Sequence, residues 1–224
     1  QKPQAVIDAM SGLMERSYAN VHRGLHTLAN ETTDAYEAAR RSVQGLINAA
    51  HVNEVVFTHG TTESINLVAS GLGQSTQPGD EIIVSQMEHH ANIVPWHFLR
   101  ERLGAVLRFV PVSDDGRLDM EAYYALLGPR TRMVALTHMS NVLGTINPAK
   151  AIVEAAHSAG VPVLLDGAQG IVHLEVDVQD LDVDFYAFSG HKLYGPTGVG
   201  VLYGKAERLA ALPPYQGGGE MIGE

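Results

Sequence analysis

The side chain best suited to covalent chemistry in this sequence is that of Lys192. It stands in residues 189–196, SGHKLYGP, among small and turn-forming residues and just after a short apolar run. A lysine amine in a partly buried place can act as a nucleophile toward a carbonyl and form a Schiff base. Most lysines are solvated surface charges, so this interpretation depends on which other groups lie near Lys192.

Asp166 and Gln169 form a second set of chemical groups. Asp166 ends the apolar run at residues 161–165, where an ionised carboxylate is costly unless it has a partner. Facing the nitrogen of a heteroaromatic ring, the carboxylate would keep that nitrogen protonated and make the ring a better electron sink. A helix cap or a structural ion pair is the alternative for Asp166. Gln169 could reach the same ligand from the same turn.

Residues 60–62, GTT, follow the apolar run at residues 55–57 and open a helix. Gly60 permits close approach of the backbone, while the free amides and the hydroxyls of Thr61 and Thr62 can hold a phosphate group at the positive end of the helix. The alternative is an ordinary helix N-cap formed by threonine.

Two pairs of histidines have spacings that could serve chemistry. His89 and His90 follow another apolar run, and an imidazole there could stack on a flat ring or act as an acid-base group. His22 and His26 have the spacing of a helical zinc pair, but Gly24 between them weakens a helix and no third ligand is evident. We therefore expect no metal.

The elements that would position these groups change character along the chain. Two amphipathic helices come first, at residues 5–18 and 34–50, with a polar loop at residues 19–33 between them. The methionines of the first helix are interpreted as core packing. Beyond residue 54, the predicted strands cover residues 55–57, 81–84, 106–112, 133–136, 161–165, 185–188 and 200–203, and the helices between them begin at residue 62 and cover residues 93–102, 119–127 and 149–158.

This alternation favours an α/β fold, a three-layer α-β-α arrangement around a mostly parallel sheet. The last two strands lie close in sequence, so that edge of the sheet could be mixed. In such sheets ligands bind beyond the carboxyl ends of the strands. Five strands deliver polar groups there: residues 58–63, residues 85–90, Thr137 with His138 and Asn141, Asp166 with Gln169, and residues 189–192. We therefore predict one site for a flat, anionic, heteroaromatic ligand.

Bulk composition narrows the functional classes. The 224 residues are 45% apolar and 18% charged, which is ordinary for a folded protein. A formal net charge of −10 argues against a nucleic-acid partner, and no apolar run is long enough to cross a bilayer. The chain contains no cysteine, which excludes disulfides and thiolate metal sites within it and favours a cytoplasmic location.

Five segments resemble SufS-type cysteine desulfurases, which belong to the class V aminotransferase group of fold-type I pyridoxal-phosphate enzymes. They are residues 61–67, TTESINL; 86–92, QMEHHAN; 138–144, HMSNVLG; 166–169, DGAQ; and 189–196, SGHKLYGP. Residues 21–24, VHRG, and 217–219, GGG, fit as well, so the resemblance spans essentially the whole chain in order. The DGAQ and SGHK motifs are shared by the wider class, whereas MEHHAN is more specific to desulfurases and selenocysteine lyases.

The resemblance implies pyridoxal 5'-phosphate as the cofactor, with Lys192 and His89 as catalytic residues. Lys192 would carry the cofactor as a Schiff base, and the freed amine would remove the Cα proton of the substrate. The implied cofactor contacts are Asp166 to the pyridine nitrogen, His89 stacked on the ring, Gln169 to the phenolic oxygen, Thr61, Thr62, Ser189 and His191 to the phosphate, and Asn141 as an orienting residue.

The implied reaction converts L-cysteine or L-selenocysteine to L-alanine, with the sulfur of cysteine passed to an enzyme persulfide for iron-sulfur cluster assembly. A homodimer and a sulfur-acceptor protein are the implied partners. Other class V enzymes, such as a selenocysteine lyase, an aminotransferase or an epimerase, and a non-catalytic module on the same fold are the alternatives. A loop cysteine further along the chain would favour the desulfurase.

The sequence departs from the family pattern at its ends. The nucleophilic cysteine and the arginine that binds the substrate carboxylate lie in a C-terminal region of the family that these residues do not include. We therefore expect a chain truncated at both ends, inactive alone, with the N-terminal helix and active-site loop at residues 1–32 and the cofactor-binding large domain at residues 33–224. The small C-terminal domain of the family would be absent.

Overall fold

The computed structural model describes residues 1–22 and 24–218; Arg23 and Gly219, which belong to two of the resembling segments, lie outside the described residues. The strands are β1 (Val55–Thr58), β2 (Glu81–Ser85), β3 (Val106–Val110), β4 (Thr131–Thr137), β5 (Val163–Asp166), β6 (Phe185–Ser189) and β7 (Gly200–Gly204). The helices are α1 (Gln4–Arg16), α2 (Thr27–Leu46), α3 (Thr61–Gly73), α4 (Val94–Leu103), α5 (Met120–Leu126), α6 (Ala149–Ser158), α7 (Gly170–His173), α8 (Val178–Leu181) and α9 (Ala206–Ala211).

The strands form one sheet in the order β1-β7-β6-β5-β4-β2-β3. β3, β2, β4, β5 and β6 pair in parallel, whereas β7 is antiparallel to both β1 and β6. The prediction of a mostly parallel sheet with one mixed region is confirmed, although the antiparallel strand lies one position in from the edge. Residues 190–199, which join β6 to β7, are too few for the crossover of roughly a dozen or more residues that a parallel pair needs.

Helices cover both faces of the sheet. Neighbouring residues of a strand point to opposite faces, so one strand contributes side chains to both cores. Leu164 packs in a core with Ile65 and Val68 of α3 and Trp96 of α4. Its neighbour Leu165 packs in a second core, which contains residues of α5 and α6. Two apolar layers on either side of one sheet confirm the predicted α/β three-layer architecture.

The predicted loop at residues 19–33 is wrong in its second half, because α2 already begins at Thr27. The His26 side chain caps this helix by accepting a hydrogen bond from the Ala29 amide, and Ala29 and Thr32 are buried. Residues 30–33, NETT, carry no apolar periodicity, so the pattern gave no sign of helix there. The boundary expected between residues 32 and 33 falls inside α2.

The first helix also differs from its prediction. Its apolar face is exposed rather than packed: Met10 is 41% and Met14 67% exposed, and Gly12 is its buried residue. The interpretation of these methionines as core packing is therefore wrong for the described part of the chain. None of the helices within residues 1–22 and 24–218 has both the length and the apolar character needed to cross a membrane.

Candidate active site

A cleft at the carboxyl edge of the sheet brings most of the predicted site residues together. Its lining comes from the ends of β2, β4, β5 and β6: His89, Thr137, Met139, Asn141, Asp166, Ala168, Gln169 and Lys192. Parallel strands end at the same edge, which is why residues far apart in sequence meet here. An amine, a carboxylate, an imidazole and two amides therefore line one cleft.

Asp166 is the buried acid of this cleft, with 4% of its surface exposed. Its Oδ1 accepts a hydrogen bond of 2.9 Å from the Ala168 amide. Burial raises the pKa of Asp166 above its ordinary value, while the Ala168 amide and the charges of Lys192 and His89 act in the opposite direction. A carboxyl stripped of water in this way is stabilised as an anion by a cationic partner, so the site suits a positively charged group.

Tyr186, which the sequence did not single out, supports the Asp166 turn together with His138. The Tyr186 hydroxyl lies 3.0 Å from Nδ1 of His138, and both side chains are buried. A Cβ added to Gly167 would lie 2.0 Å from Cε1 of Tyr186, and one added to Gly170 would lie 2.6 Å from its hydroxyl oxygen. Glycine at both positions thus lets the turn rest directly on the tyrosine ring.

The buried His138 gives the fold a predicted sensitivity to acid. Burial lowers its pKa from 6.5 to about 4, so the unfolded chain binds a proton first as the pH falls. The contribution of His138 to stability is complete above pH 6.5 and is lost progressively as the pH falls from 6.5 to about 4. Between pH 7 and ~4.5 the wild type should lose about 2 kcal/mol more free energy of unfolding than His138→Asn.

Denaturant unfolding of both proteins at the two pH values would measure this difference. The other buried acids are common to both proteins, so their titration cancels in the comparison. Equal losses in the wild type and the variant would contradict the buried neutral state of His138.

A second cleft adjoins the first and holds the residues predicted for a phosphate. It is lined by His59, Gly60, Thr61, Thr62, Glu63, Asn66, Ser189, His191 and Tyr215. The Ser189 hydroxyl accepts a 2.8 Å hydrogen bond from the Thr61 amide and lies 2.7 Å from the Thr61 hydroxyl. Ser189 ends β6 and Thr61 begins α3, so this contact joins the positive end of a 13-residue helix to the segment that carries Lys192.

Glycines let this second cleft form. A Cβ added to Gly200 of β7 would lie 2.3 Å from Cα of Gly60, so β7 passes directly against the turn that starts α3. Gly60 is the N-cap residue and has no side chain with which to cap the helix. The start of α3 therefore has no side-chain cap, and Thr61 and Thr62 line the cleft beside it.

His89 is exposed at the rim of the first cleft, and its ring is oriented by the backbone. Nδ1 accepts a hydrogen bond of 3.1 Å from the Ala91 amide, so in the neutral ring the proton is carried by Nε2. His90 is also exposed, with its ring centroid 6.2 Å from that of His89. His89 is thus the histidine of the pair that lines the cleft.

The other two histidines have structural partners. Nε2 of His22 lies 3.0 Å from a Glu37 carboxylate oxygen, and His26 caps α2. Across residues 1–22 and 24–218, no group of three or more His, Asp or Glu side chains is arranged to hold a metal ion.

Sequence reasoning missed two residues of this region besides Tyr186. Tyr215 follows α9 and lines the phosphate-side cleft. Glu88 precedes His89 and is buried at the end of β2, with 9% of its surface exposed. The signal available in the sequence was its position between an apolar strand and His89. A carboxylate that is buried at such a position needs hydrogen-bond donors around it.

Comparisons with known proteins agree on one group. Residues 1–224 match the family model described as aminotransferase class-V. The chain is 56% identical over 225 residues to a curated cysteine desulfurase of Dickeya dadantii (strain 3937), an alignment that covers 100% of this chain and 55% of that protein. The chain therefore spans about half the length of the curated relatives it matches.

Solved structures give the same result. The crystal structure of the cysteine desulfurase CsdA from Escherichia coli matches with a TM-score of 0.91 at 50% identity, covering 100% of this chain and 56% of that one. The apo structure of a cysteine desulfurase from Thermococcus onnurineus NA1 matches with a TM-score of 0.94 at 39% identity, with the same coverage of 100% and 56%.

Proposed function

We propose that this chain, which belongs to the class V aminotransferase family, is the cofactor-binding part of a pyridoxal-phosphate-dependent cysteine desulfurase. The observation that carries the proposal is the single cleft lined by Lys192, Asp166 and His89, next to the open start of α3. Sequence identity of 56% to a curated cysteine desulfurase supports the choice of reaction within the family.

The donor set of the two clefts fits pyridoxal 5'-phosphate. A buried carboxyl with one amide donor, Asp166, suits a protonated ring nitrogen. Gln169 offers an amide for the phenolic oxygen, and Asn141 offers a second amide on the same side. The phosphate would be held by the hydroxyls and amides of Thr61, Thr62 and Ser189, with His191 beside them.

When bound, pyridoxal phosphate supplies an aldehyde for amines and an aromatic ring that withdraws electrons from the substrate Cα. In our proposal the Lys192 amine holds the cofactor covalently and, once free, accepts the Cα proton of the substrate. The Asp166 carboxylate keeps a proton on the ring nitrogen. His89, which lines the same cleft, would cover one ring face and could move a proton at Nε2.

The proposed net reaction is L-cysteine plus an enzyme thiol giving L-alanine plus an enzyme persulfide. The chain contains no cysteine, so we place the nucleophilic thiol outside these 224 residues, together with an arginine for the substrate carboxylate. We also propose that the whole protein is a cytoplasmic homodimer that passes sulfur to an acceptor protein for iron-sulfur cluster assembly. Similarity to curated cysteine desulfurases is what supports this part of the proposal.

Trapping the cofactor on the protein tests the proposal. Borohydride treatment of the full-length protein loaded with pyridoxal phosphate should fix one cofactor, and peptide mass spectrometry should locate it on Lys192. Lys150→Ala is the matched control, because Lys150 is an exposed lysine paired with Asp180 on α8 and should not affect trapping.

Product analysis separates the rival class V activities. Cysteine consumed with equal yields of alanine and protein-bound persulfide supports the desulfurase. A cofactor adduct on another lysine, or an adduct on Lys192 without release of alanine from cysteine, would overturn the proposed function.

A further inference from the structure

Glu88 is the centre of a buried hydrogen-bond cluster beside the site. Its Oε1 accepts a hydrogen bond of 2.5 Å from the Ser85 hydroxyl and one of 2.9 Å from the Thr137 amide. Its Oε2 accepts one of 2.7 Å from Nδ2 of Asn92. Oδ1 of Asn92 in turn accepts a hydrogen bond of 3.0 Å from the indole N–H of Trp96.

This cluster connects three elements around the cleft. Ser85 ends β2, Thr137 ends β4, and Asn92 ends the short 3-10 turn His90–Asn92 that leads into α4. The backbone N–H of Asn92 also donates a hydrogen bond of 2.8 Å to the carbonyl oxygen of His89. The Glu88 carboxyl therefore connects the loop that carries His89 to the ends of β2 and β4 and, through Asn92, to the turn before α4.

We propose that Glu88 is a positioning residue, which holds the His89 ring over the cofactor site by tying its loop to the ends of β2 and β4. This inference rests on the proposed function, because the orientation of His89 matters through the cofactor that it would cover. Glu88 itself does not line the cleft that holds His89, Asp166 and Lys192, so it acts through its neighbours.

The pKa of the Glu88 carboxyl agrees with its role as a positioning residue. Burial raises the pKa of Glu88 to about 7 against the hydrogen bonds from Ser85, Asn92 and Thr137, and the negative charge of Asp166 raises it further. The three hydrogen bonds are therefore what favours the ionised, acceptor form of Glu88 in this cluster.

Glu88→Gln is the informative substitution, because it keeps the shape and removes one acceptor. With its oxygen toward Ser85 and Thr137, the new amide nitrogen faces Nδ2 of Asn92, and two donors meet. Rotating the Asn92 amide only moves the conflict, since its nitrogen would then face the donor-only indole of Trp96. No amide flip within these residues repairs the cluster.

Glu88→Gln/Asn92→Asp is the matched rescue. The carboxylate at position 92 can accept from both the glutamine amide at position 88 and the Trp96 indole, so every donor again has an acceptor. Asn92→Asp alone places two buried carboxyls side by side. It should therefore disturb the His89 loop and weaken cofactor binding as much as Glu88→Gln does. Recovery in the double variant is thus expected from restored hydrogen bonding rather than from any single side chain.

Glu81→Gln provides the control for burial and stability. Glu81 is a buried glutamate at the start of β2, the end of the strand farther from Glu88, where it pairs with Arg108. Its substitution should lower the unfolding temperature without affecting the loop of His89. It therefore separates loss of stability from loss of positioning.

Two readouts on the full-length protein test the inference. In cofactor-free protein, hydrogen-deuterium exchange of residues 86–93 should quicken in Glu88→Gln and return toward the wild-type rate in the double variant. On loading with pyridoxal phosphate, Glu88→Gln should bind roughly tenfold more weakly, as expected for one lost buried hydrogen bond, with an altered visible circular dichroism band.

Each outcome decides the inference. Unchanged exchange, affinity and dichroism in Glu88→Gln would overturn it, and so would a double variant as impaired as Glu88→Gln, because hydrogen bonding would then not be what matters. The same changes in Glu81→Gln would reduce the effect to general stability and also overturn it. If the wild type fails to bind the cofactor, the proposed function fails and the inference with it.

Discussion

Lys192→Ala is expected to lower the rate of Cα proton removal from cysteine by about a hundredfold to ten thousandfold, the range in which a positioned acid-base group contributes. Lys192 is the lysine that lines the same cleft as Asp166 and His89, and it is half-buried there. Single-turnover measurement of solvent deuterium incorporation into alanine or unreacted cysteine would report this step.

Small amines make this prediction specific. Adding a primary amine such as methylamine should restore part of the lost rate in Lys192→Ala, because the variant lacks a proton acceptor while its other contacts remain. Lys150→Ala, an exposed substitution on α6, should match the wild type with or without the amine. A Lys192→Ala enzyme that keeps the wild-type rate, or one that amines never rescue while it still binds the cofactor, would contradict the role of the lysine as base.

The sheet was predictable because its strands are short apolar runs separated by helices. The carboxyl ends of parallel strands come to one edge whatever the details of packing, so the meeting of Asp166 and Lys192 could be inferred from their positions at the end of β5 and just after β6. The start of α2 could not be inferred, since its first turns are polar and are stabilised by the His26 cap and by tertiary burial of Thr32. The four-residue helices α7 and α8 are too short to show a helical period.

The supporting contacts of the site were beyond the sequence for a different reason. Tyr186 lies in a predicted apolar strand, and only its pairing opposite Leu165 brings its ring beneath Gly167. Glu88 was visible as a residue of the histidine segment, but the donors that make its burial possible come from β4 and from the turn before α4. Contacts between neighbouring strands and turns depend on register, which periodicity alone does not determine.

Asp166→Ala is the second large effect that we expect. Removing the carboxylate takes away the group that would keep the ring nitrogen protonated, so Cα proton removal should slow by about a hundredfold to a thousandfold, as when a transition-state charge partner is lost. Cofactor affinity should fall by only about tenfold, because the proposed contacts at Thr61 and Ser189 remain. Deuterium incorporation measures the first quantity and spectrophotometric titration the second.

Asp184→Asn is the matched control for loss of a buried carboxylate. Asp184 is fully buried at the start of β6, at the opposite end of the sheet, where it pairs with His157 and Arg208. Its substitution should lower stability and leave both site quantities unchanged, because no part of it approaches the cleft. In Asp166→Ala the loss of rate is compared with the loss of cofactor affinity. A rate loss much larger than the affinity loss means that the carboxylate stabilises charge formed during the reaction. Equal losses would mean that Asp166 only helps to bind the cofactor.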